Sequence, residues 1–402
     1  MGDDSFTTGV DEVVGVWPSP PDLWSFSSLD EAEACPRRWA LRRATYPKLW
    51  KKHGYPPRPS VAGLRGEIIH RALERILIAL VDAGCASVKD PAAVTVLRDL
   101  GGYSGLVEGL LDEQLAALEA NPRIQDALPT FRRRLRAEVP DMRMRVQEMI
   151  SRAEFQATTE KTGVGSALAA ERLPLVPGSY PEVELRSSDL GFAGRVDLLW
   201  LSDRACSIID YKTGDPSPKH ADQLRTYALL WHRDSDLNPD KTPVGSLTAS
   251  YPHKDEPVAP PTTAELEVLA VRLVDRAEAA TASLEERPPA ARPGPDICRY
   301  CDVRQLCPEY WASQPPRPGA VPAGEFMDLE GAVLGRNGAR SWRVREARSG
   351  DVVLLRTQQE ADAYETAATV RFLNLVQIDD PDTPMPVVSV TASTEVFSSA
   401  SP

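Results

Sequence analysis

Residues 194–214 decide the fold of this chain, and they read GRVDLLWLSDRACSIIDYKTG. Two apolar stretches flank Ser202–Ala205, a pattern typical of two antiparallel β-strands joined by a tight turn. With a two-residue turn at the centre of that loop, Asp197 lies directly opposite Asp210, about 5 Å away on the same face. Lys212 shares this face because alternate residues of a strand point the same way. A change of one residue in the loop would shift the pairing.

The residues around these charges are mainly apolar, so both faces of the hairpin are expected to be buried. Buried charges are costly unless they are paired or bound to metal, and a divalent cation removes the repulsion between two carboxylates. Mg²⁺ or Mn²⁺ prefers such oxygen ligands, acidifies a bound water and stabilises charge on a scissile phosphate. Lys212 would orient or deprotonate that water. The alternative from spacing alone is an Asp–Lys ion pair on a half-exposed hairpin.

Charge is unevenly distributed along the 402 residues, which suffice for two or three domains. The formal net charge of -12 argues mildly against a nucleic-acid partner, because Lys and Arg drive phosphate binding. Residues 36–66 nevertheless contain no acid, and a second basic cluster follows at Arg132, Arg133, Arg134 and Arg136. Each cluster fits either a phosphate-contacting surface or a solvated helix face.

The start of the chain, MGDDSFTTGV, is acidic and polar and does not resemble a secretory signal. The apolar run Ile76–Val81 is too short to span a bilayer. We therefore expect a soluble, cytoplasmic protein with no membrane partner. Six cysteines in that compartment favour metal binding over disulfides.

Three cysteines form a dense triplet at Cys298, Cys301 and Cys307. Closely spaced thiolates are characteristic of zinc and iron–sulfur sites, and a closed site needs a fourth ligand. Cys35, which precedes Pro36, is the candidate for that ligand. The two remaining cysteines, Cys85 and Cys206, have no partner at a suitable spacing and are interpreted as core thiols.

The first half of the chain is predicted to be largely helical after a disordered segment at residues 1–20. Periodicity over Glu67–Val81 predicts a helix that carries His70. Such a histidine is commonly a core residue. Residues 90–165 are interpreted as a helical insertion, broken at Pro122 and Pro140. Strands follow over residues 181–212, and helices over 221–233 and 265–284.

The last part of the chain is predicted to be rich in strands. A Pro-rich linker at residues 313–323 precedes a β-rich domain at 324–398, with a hairpin turn at Asn337-Gly338. The predicted order is three strands, a helix over Gln358–Tyr364 and two strands, the last near Pro386–Phe397. This order fits an OB-fold or another small β-domain. Trp342 and Phe372, with the nearby arginines, offer the chemistry of single-strand binding. Alternatively, the two aromatic residues belong to the core of the domain.

The ordered motifs resemble the PD-(D/E)XK nuclease superfamily, and in particular its RecB-like branch. The resemblance rests on Gly194-x-x-Asp197, Asp210-x-Lys212, the upstream His70 and the downstream pair Gln223 and Tyr227. It implies an α/β nuclease domain at residues 21–312, a mixed sheet flanked by helices. It also implies that Asp197, Asp210, His70 and the Tyr211 carbonyl bind Mg²⁺ or Mn²⁺. Lys212 would be the catalytic lysine, with Gln223 and Tyr227 positioning the site or DNA, and Glu67 and Glu184 as accessory acids.

The cysteines resemble those of AddB-type nucleases and CRISPR-associated exonucleases. That resemblance implies a 4Fe–4S cluster on Cys35, Cys298, Cys301 and Cys307 that ties the two ends of the nuclease domain together. A zinc site with four cysteines is the rival, and unliganded structural cysteines are a further alternative.

The expected function is a metal-dependent DNA nuclease, acting as an exonuclease on single strands or duplex ends. Repair, recombination and defence against foreign DNA are all compatible with it. No Gly-rich phosphate loop is present, so processive resection would need a helicase partner. The alternatives are a non-catalytic DNA-binding or scaffold subunit, and a structural zinc protein whose hairpin is inert.

Overall fold

The computed structural model describes residues 14–49, 54–155, 171–358, 364 and 369–398. It divides into two compact units. We call residues 21–30 and 58–281 the α/β unit, and residues up to 20, 31–57 and from 282 onward the barrel unit. The predicted nuclease domain at residues 21–312 includes parts of both units, since residues 31–57 and 282–312 belong to the barrel unit.

The described helices are α1 Phe26–Ala34, α2 Pro36–Arg43, α3 Val61–Asp82, α4 Pro91–Asp99, α5 Gly102–Glu119, α6 Leu128–Ser151, α7 Pro218–Arg233, α8 Thr263–Glu285, α9 Pro295–Cys298 and α10 Pro308–Ser313. Short 3₁₀ turns lie at Gln125–Ala127 and Arg304–Leu306. No helix among the described residues is long and apolar enough to cross a membrane.

A five-stranded sheet forms the framework of the α/β unit. Its strands are β1 Gly178–Ser187, β2 Phe192–Leu201, β3 Cys206–Tyr211, β4 Val244–Ser250 and β5 Asp255–Val258, in that spatial order. Neighbours are antiparallel except β3 and β4, which are parallel and joined through α7, because a parallel pair needs a crossover.

The hairpin of β2 and β3 has the predicted register. Leu198 pairs with Ile209 and Leu199 with Ile208, and the turn is closed between Ser202 and Ala205. This register confirms the predicted pairing, because the next step along the strands puts Asp197 beside Asp210.

Helix α3 starts earlier than predicted, at Val61, because the Ser60 side chain accepts a hydrogen bond from the Gly63 amide and caps it. Its apolar face, which includes Ile68 and Leu73, packs into the core formed with α5 and α6.

The predicted break at Pro140 was wrong. Helix α6 continues through Pro140 from Leu128 to Ser151. Its buried positions, such as Leu135 and Val146, lie on both sides of the proline, so packing in the core holds the helix together. Residues 156–165 of the predicted insertion lie outside the described residues.

The C-terminal strands close into a barrel. They are β6 Phe326–Gly338, β7 Ser341–Glu346, β8 Val352–Arg356, β9 Thr369–Ile378, β10 Val387–Ser389 and β11 Glu395–Ser398. Their order is β10-β8-β7-β6-β9-β11, and β10 also pairs with β9, which closes five strands on themselves. A closed barrel of five strands is the arrangement of an OB-fold. The last predicted strand is in fact two strands, β10 and β11. Residues 359–363 of the predicted helix lie outside the described residues.

Trp342 and Phe372 lie in the barrel core, at 6% and 0% exposure. Tyr364 makes edge contacts with both rings. These two aromatics are therefore core residues and offer no stacking surface for bases.

Other parts of the barrel unit are more ordered than predicted. Residues 1–13 lie outside the described residues, but Val14 is buried and the Gly15 amide donates to the Thr45 carbonyl. The Pro-rich linker also packs on the barrel, since the Gly319 amide donates to the Gln377 side chain at 2.9 Å.

Candidate active site

Two buried aspartates and a lysine meet where β2 and β3 run side by side. Asp197 and Asp210 are only 6% and 3% exposed. Asp197 Oδ2 accepts a hydrogen bond of 2.6 Å from the Tyr211 amide. Lys212 Nζ lies 2.6 Å from Asp210 Oδ2. The structure thus brings together the three residues of the predicted catalytic core.

Burial makes the Asp197 carboxylate hard to ionise without a counter-charge. It raises the pKa of Asp197 well above its usual range, and the neighbouring Asp210 raises it further. A cation between the two carboxylates would relieve both effects. The site is therefore electrostatically suited to a divalent metal.

A third acid, Glu182, completes the cluster around Asp197. Ligand atoms of His70, Glu182 and Asp197 all lie within 4.8 Å of one another. His70 Nε2 is 3.5 Å from Asp197 Oδ1. Burial raises the pKa of Glu182 to about 7, with a further contribution from Glu74. Because His70 is on α3 and the acids are on strands, the cluster depends on how the helix packs.

His70 is not the core histidine that its helical position also allowed. Its side chain is 39% exposed and lines the same cavity as the aspartates. Burial lowers its pKa, which favours the neutral imidazole that binds metals.

The sequence interpretation missed Glu182 and named its neighbour Glu184. Glu184 pairs with Arg186 at 2.6 Å and is partly exposed. Glu182 has φ 57°, in the left-handed region, between the pairs Pro181↔Leu198 and Val183↔Val196, so it lies opposite Asp197. Strained residues of this kind cost about 1–3 kcal/mol and cluster at functional sites. The β1–β2 register identifies Glu182, but that register is seen only in the structure.

The other predicted accessory acid, Glu67, lines the cavity, but its Oε1 accepts a hydrogen bond from Gln114. Tyr211 also lines the cavity, and its amide donates to Asp197. The role of its carbonyl as a ligand stays a prediction.

A chain of hydrogen bonds holds the lysine. Lys212 Nζ donates to Gln223 Oε1 at 2.7 Å, and Gln223 Nε2 donates to the Tyr227 hydroxyl at 2.7 Å. Gln223 and Tyr227 share one face of α7, which starts after Ser217, whose side chain caps it. Both residues therefore lie at the site, as the resemblance to the RecB-like branch implied.

Two glycines allow the elements to approach. A Cβ on Gly194 would lie 2.7 Å from Cε1 of Tyr227, and a Cβ on Gly66 would lie 2.8 Å from Oγ1 of Thr213. Both distances are too short for a real side chain, so β2 and α3 need glycine at these positions.

These groups line a cavity of about 570 Å³. Arg195 and His220 also line it. The Arg195 side chain is 63% exposed, and its nearest acid, Glu182, is 3.9 Å away. His220 Nδ1 is 2.8 Å from the Tyr251 hydroxyl. The sequence interpretation named neither residue.

The donor set fits Mg²⁺ or Mn²⁺. Asp210 Oδ2 is buried and accepts no hydrogen bond of acceptable geometry, although Lys212 Nζ is close. Carboxylate oxygens and one imidazole suit these hard cations. Asp197, Asp210, Glu182 and His70 are the residues that would hold the ion.

The four cysteines of the predicted cluster are all buried in the barrel unit. Cys35 and Cys307 precede α2 and α10 as their N-caps, and Cys298 Sγ accepts a hydrogen bond from the Gly294 amide at 3.4 Å. Burial raises the pKa of Cys301 to about 11 and that of Cys307 to about 12. Across the described residues, no three cysteine sulfurs come within 4.8 Å of one another.

Ion pairs bring the segments that carry these cysteines together. Arg37 donates to the Pro289 carbonyl and to both oxygens of Glu309, and Arg42 pairs with Asp302 at 2.7 Å. Much of the basic cluster at residues 36–66 is thus neutralised within the protein. In the second cluster, Arg132 pairs with Glu119 and Arg136 with Asp112.

Acids on adjacent strands, with a lysine two residues after the second, define the class of site found in phosphodiester-cleaving nucleases. The family model of the PD-(D/E)XK nuclease superfamily matches residues 23–308. The chain belongs to this superfamily, whose nucleases use divalent metals such as Mg²⁺ or Mn²⁺.

No curated protein matches the chain. One similar solved structure, "Crystal structure of SSO0001", is 22% identical with a TM-score of 0.20, covering 32% of this chain and 60% of that chain. Another, "Structural mimicry for functional antagonism", is 7% identical with a TM-score of 0.18, covering 50% of this chain and 79% of that chain. Neither likeness bears on function.

Proposed function

We propose that this protein is a divalent-metal-dependent deoxyribonuclease, acting as an exonuclease on DNA ends. The observation that carries the proposal is the joint placement of Asp197, Asp210, Glu182 and His70 in one cavity with Lys212. The RecB-like motif order supports DNA as the substrate and exonucleolytic action. Repair, recombination and defence are the roles compatible with such an activity.

The chemistry is hydrolysis of a phosphodiester bond. A divalent metal held by these residues would supply Lewis acidity at the phosphate and would lower the pKa of a bound water. Lys212, held between Asp210 and Gln223, directs its ammonium into the cavity, where it stabilises charge on the phosphate oxygens. Water oxygen bonds to phosphorus, the bond to one ester oxygen breaks, and that oxygen leaves with a proton.

Gln223 and Tyr227 position the lysine and do not touch phosphorus. Their hydrogen-bond chain fixes the ammonium, which would otherwise move freely on its four-carbon stem. Arg195, at the cavity wall, offers a further contact to an adjacent phosphate.

A cleavage assay tests the proposal. End-labelled single- and double-stranded DNA is incubated with Mn²⁺ and wild type, Lys212→Ala or Lys219→Ala. Lys219 is a suitable control because it is exposed at the start of α7 and pairs with Asp30. We expect degradation by wild type and Lys219→Ala and none by Lys212→Ala, with mononucleotide products if action is exonucleolytic.

The same assay addresses the second candidate, a scaffold subunit that binds DNA without cutting it. The close Lys212–Asp210 ion pair is compatible with that alternative, because such a pair forms whether or not the site cuts DNA. If neither wild type nor any variant cleaves DNA but all of them bind it, the result would support the scaffold subunit. A requirement for a helicase partner would show as cleavage only after the partner is added.

We further propose a 4Fe–4S cluster on Cys35, Cys298, Cys301 and Cys307. Its support is the burial of all four thiols and the ion pairs that join their segments. The resemblance of the cysteine spacing to that of AddB-type nucleases is the reason to propose an iron–sulfur cluster in preference to zinc.

Iron and sulfide analysis of anaerobically purified protein tests the cluster, with Cys35→Ser beside Cys85→Ser. Cys85 is a buried thiol in the α/β unit and serves as the matched control. We expect brown protein in wild type and Cys85→Ser, and colourless, unstable protein in Cys35→Ser. Zinc in place of iron would contradict the proposal.

A further inference from the structure

The outer face of the barrel carries arginines that form no ion pair with any acid in the part of the chain that the structure describes. Arg343 and Arg345 are exposed on β7, and Arg340 is exposed in the turn before it. None of the three has a carboxylate within 4.0 Å among the described residues. Other arginines of the barrel unit differ: Arg304 pairs with Asp328 and Arg356 with Asp380.

The neighbours of these arginines on the adjoining strands are uncharged. Gly335 and Leu354 flank Arg343, and Ala332 and Val352 flank Arg345. Because strand residues alternate, Trp342 and Val344 point into the core and leave the outer face to the arginines. Among the described residues the result is a basic strip without an acid paired to it, in a chain whose formal net charge is -12.

Isolated basic strips on an acidic protein are suited to a polyanion, because each arginine can replace a counterion of a phosphate. Arg343 and Arg345 are two residues apart, so they lie about 7 Å from each other along the strand. That interval is comparable with the separation of successive phosphates in an extended nucleic-acid strand. A single line of arginines also suits one backbone better than the two of a duplex.

We infer that Arg340, Arg343 and Arg345 form a second nucleic-acid site, which binds the phosphate backbone of single-stranded DNA. The second strand of an OB-fold and the loop before it are where such barrels bind oligonucleotides, and β7 and its turn occupy those places. The inference goes beyond the proposed nuclease and does not require its activity. With Trp342 in the core, binding is electrostatic and independent of base sequence.

Salt dependence of binding tests this site. Full-length protein in EDTA is titrated with fluorescent oligo-dT at several salt concentrations, and log K is plotted against log salt. Each phosphate contact on a single strand contributes a slope of about -0.7. We expect Arg340→Ala, Arg343→Ala and Arg345→Ala together to reduce the slope by about 2, and each alone by about 0.7.

Arg317→Ala is the control, since Arg317 is an exposed arginine of the same unit outside the strip. It should leave the slope unchanged. A triple variant with the wild-type slope, or an equal loss in Arg317→Ala, would overturn the inference. If the triple variant loses as much slope with a duplex as with oligo-dT, the assignment to single-stranded DNA would be overturned. Since EDTA prevents cleavage, the result is independent of whether the protein is a nuclease.

Discussion

The Tyr227 ring lies so close to Gly194 that a Cβ there would come within 2.7 Å of its Cε1 atom. This contact sets β2 against α7, and so sets Asp197 against the Gln223–Tyr227 pair that holds Lys212. Gly194 is therefore part of the site's geometry, although it has no side chain.

Gly194→Ala should lower both stability and cleavage. Crowding of this kind costs about 1–3 kcal/mol, and the shift of Tyr227 would disturb the lysine as well. Thermal unfolding and cleavage rates measure the two effects. Gly109→Ala is the control: an added Cβ there meets nothing within 4 Å, and alanine should stabilise α5 slightly. Equal stability of Gly194→Ala and wild type would contradict the claim that the contact with Tyr227 leaves no room for a side chain at this position.

Glu182→Gln should weaken Mn²⁺ binding and cleavage, because it removes a charged ligand from the group with His70 and Asp197. Loss of such a ligand is expected to reduce metal affinity by about tenfold or more. Calorimetric titration with Mn²⁺ measures the affinity. Glu184→Gln, two residues away on an exposed pair with Arg186, is the matched control and should bind normally. A stronger effect from Glu184→Gln than from Glu182→Gln would show that Glu184, and not Glu182, is the metal ligand.

Gln223→Ala should reduce kcat with little change in KM, because Gln223 positions Lys212 without contacting substrate. Losing a hydrogen bond to a charged group costs about 1.5–3 kcal/mol, or about 10- to 160-fold in rate. Steady-state kinetics separate the two constants. Tyr227→Phe should have a smaller effect, since it removes only the second hydrogen bond of the chain. A large rise in KM at unchanged kcat would indicate instead that Gln223 binds DNA.

Arg304→Ala should destabilise the barrel unit by about 3–5 kcal/mol, because it leaves a buried charge without its partner. Asp328 receives bonds of 2.6 Å from both Arg304 Nε and the Tyr310 hydroxyl. Chemical denaturation measures the loss. Arg136→Ala breaks an exposed pair and should cost at most about 1 kcal/mol. Similar values for the two variants would show that burial does not govern the cost.

Local patterns predicted the centre of the site. The short loop between two apolar strands predicted the pairing of Asp197 with Asp210 on the assumption of a two-residue turn, and the strands have that register. Helical spacing likewise placed Gln223 and Tyr227 on one face of α7.

Features that depend on distant contacts were not predictable in this way. Glu182 faces Asp197 through an irregular backbone after Pro181, which alternation does not encode. Pro140 stays helical because of the core around it. The grouping of the cysteine segments with the barrel depends on ion pairs such as Arg304–Asp328, which span regions with no local signal.

The central claim is that the acidic cluster holds a divalent cation beside Lys212, and Mn²⁺ titration tests it most directly. Wild type, Lys212→Ala and an Asp197→Asn, Asp210→Asn double variant are titrated and assayed on DNA in parallel. The account predicts that Lys212→Ala binds Mn²⁺ but does not cleave, and that the double variant neither binds nor cleaves. Unimpaired Mn²⁺ binding by the folded double variant would contradict the account.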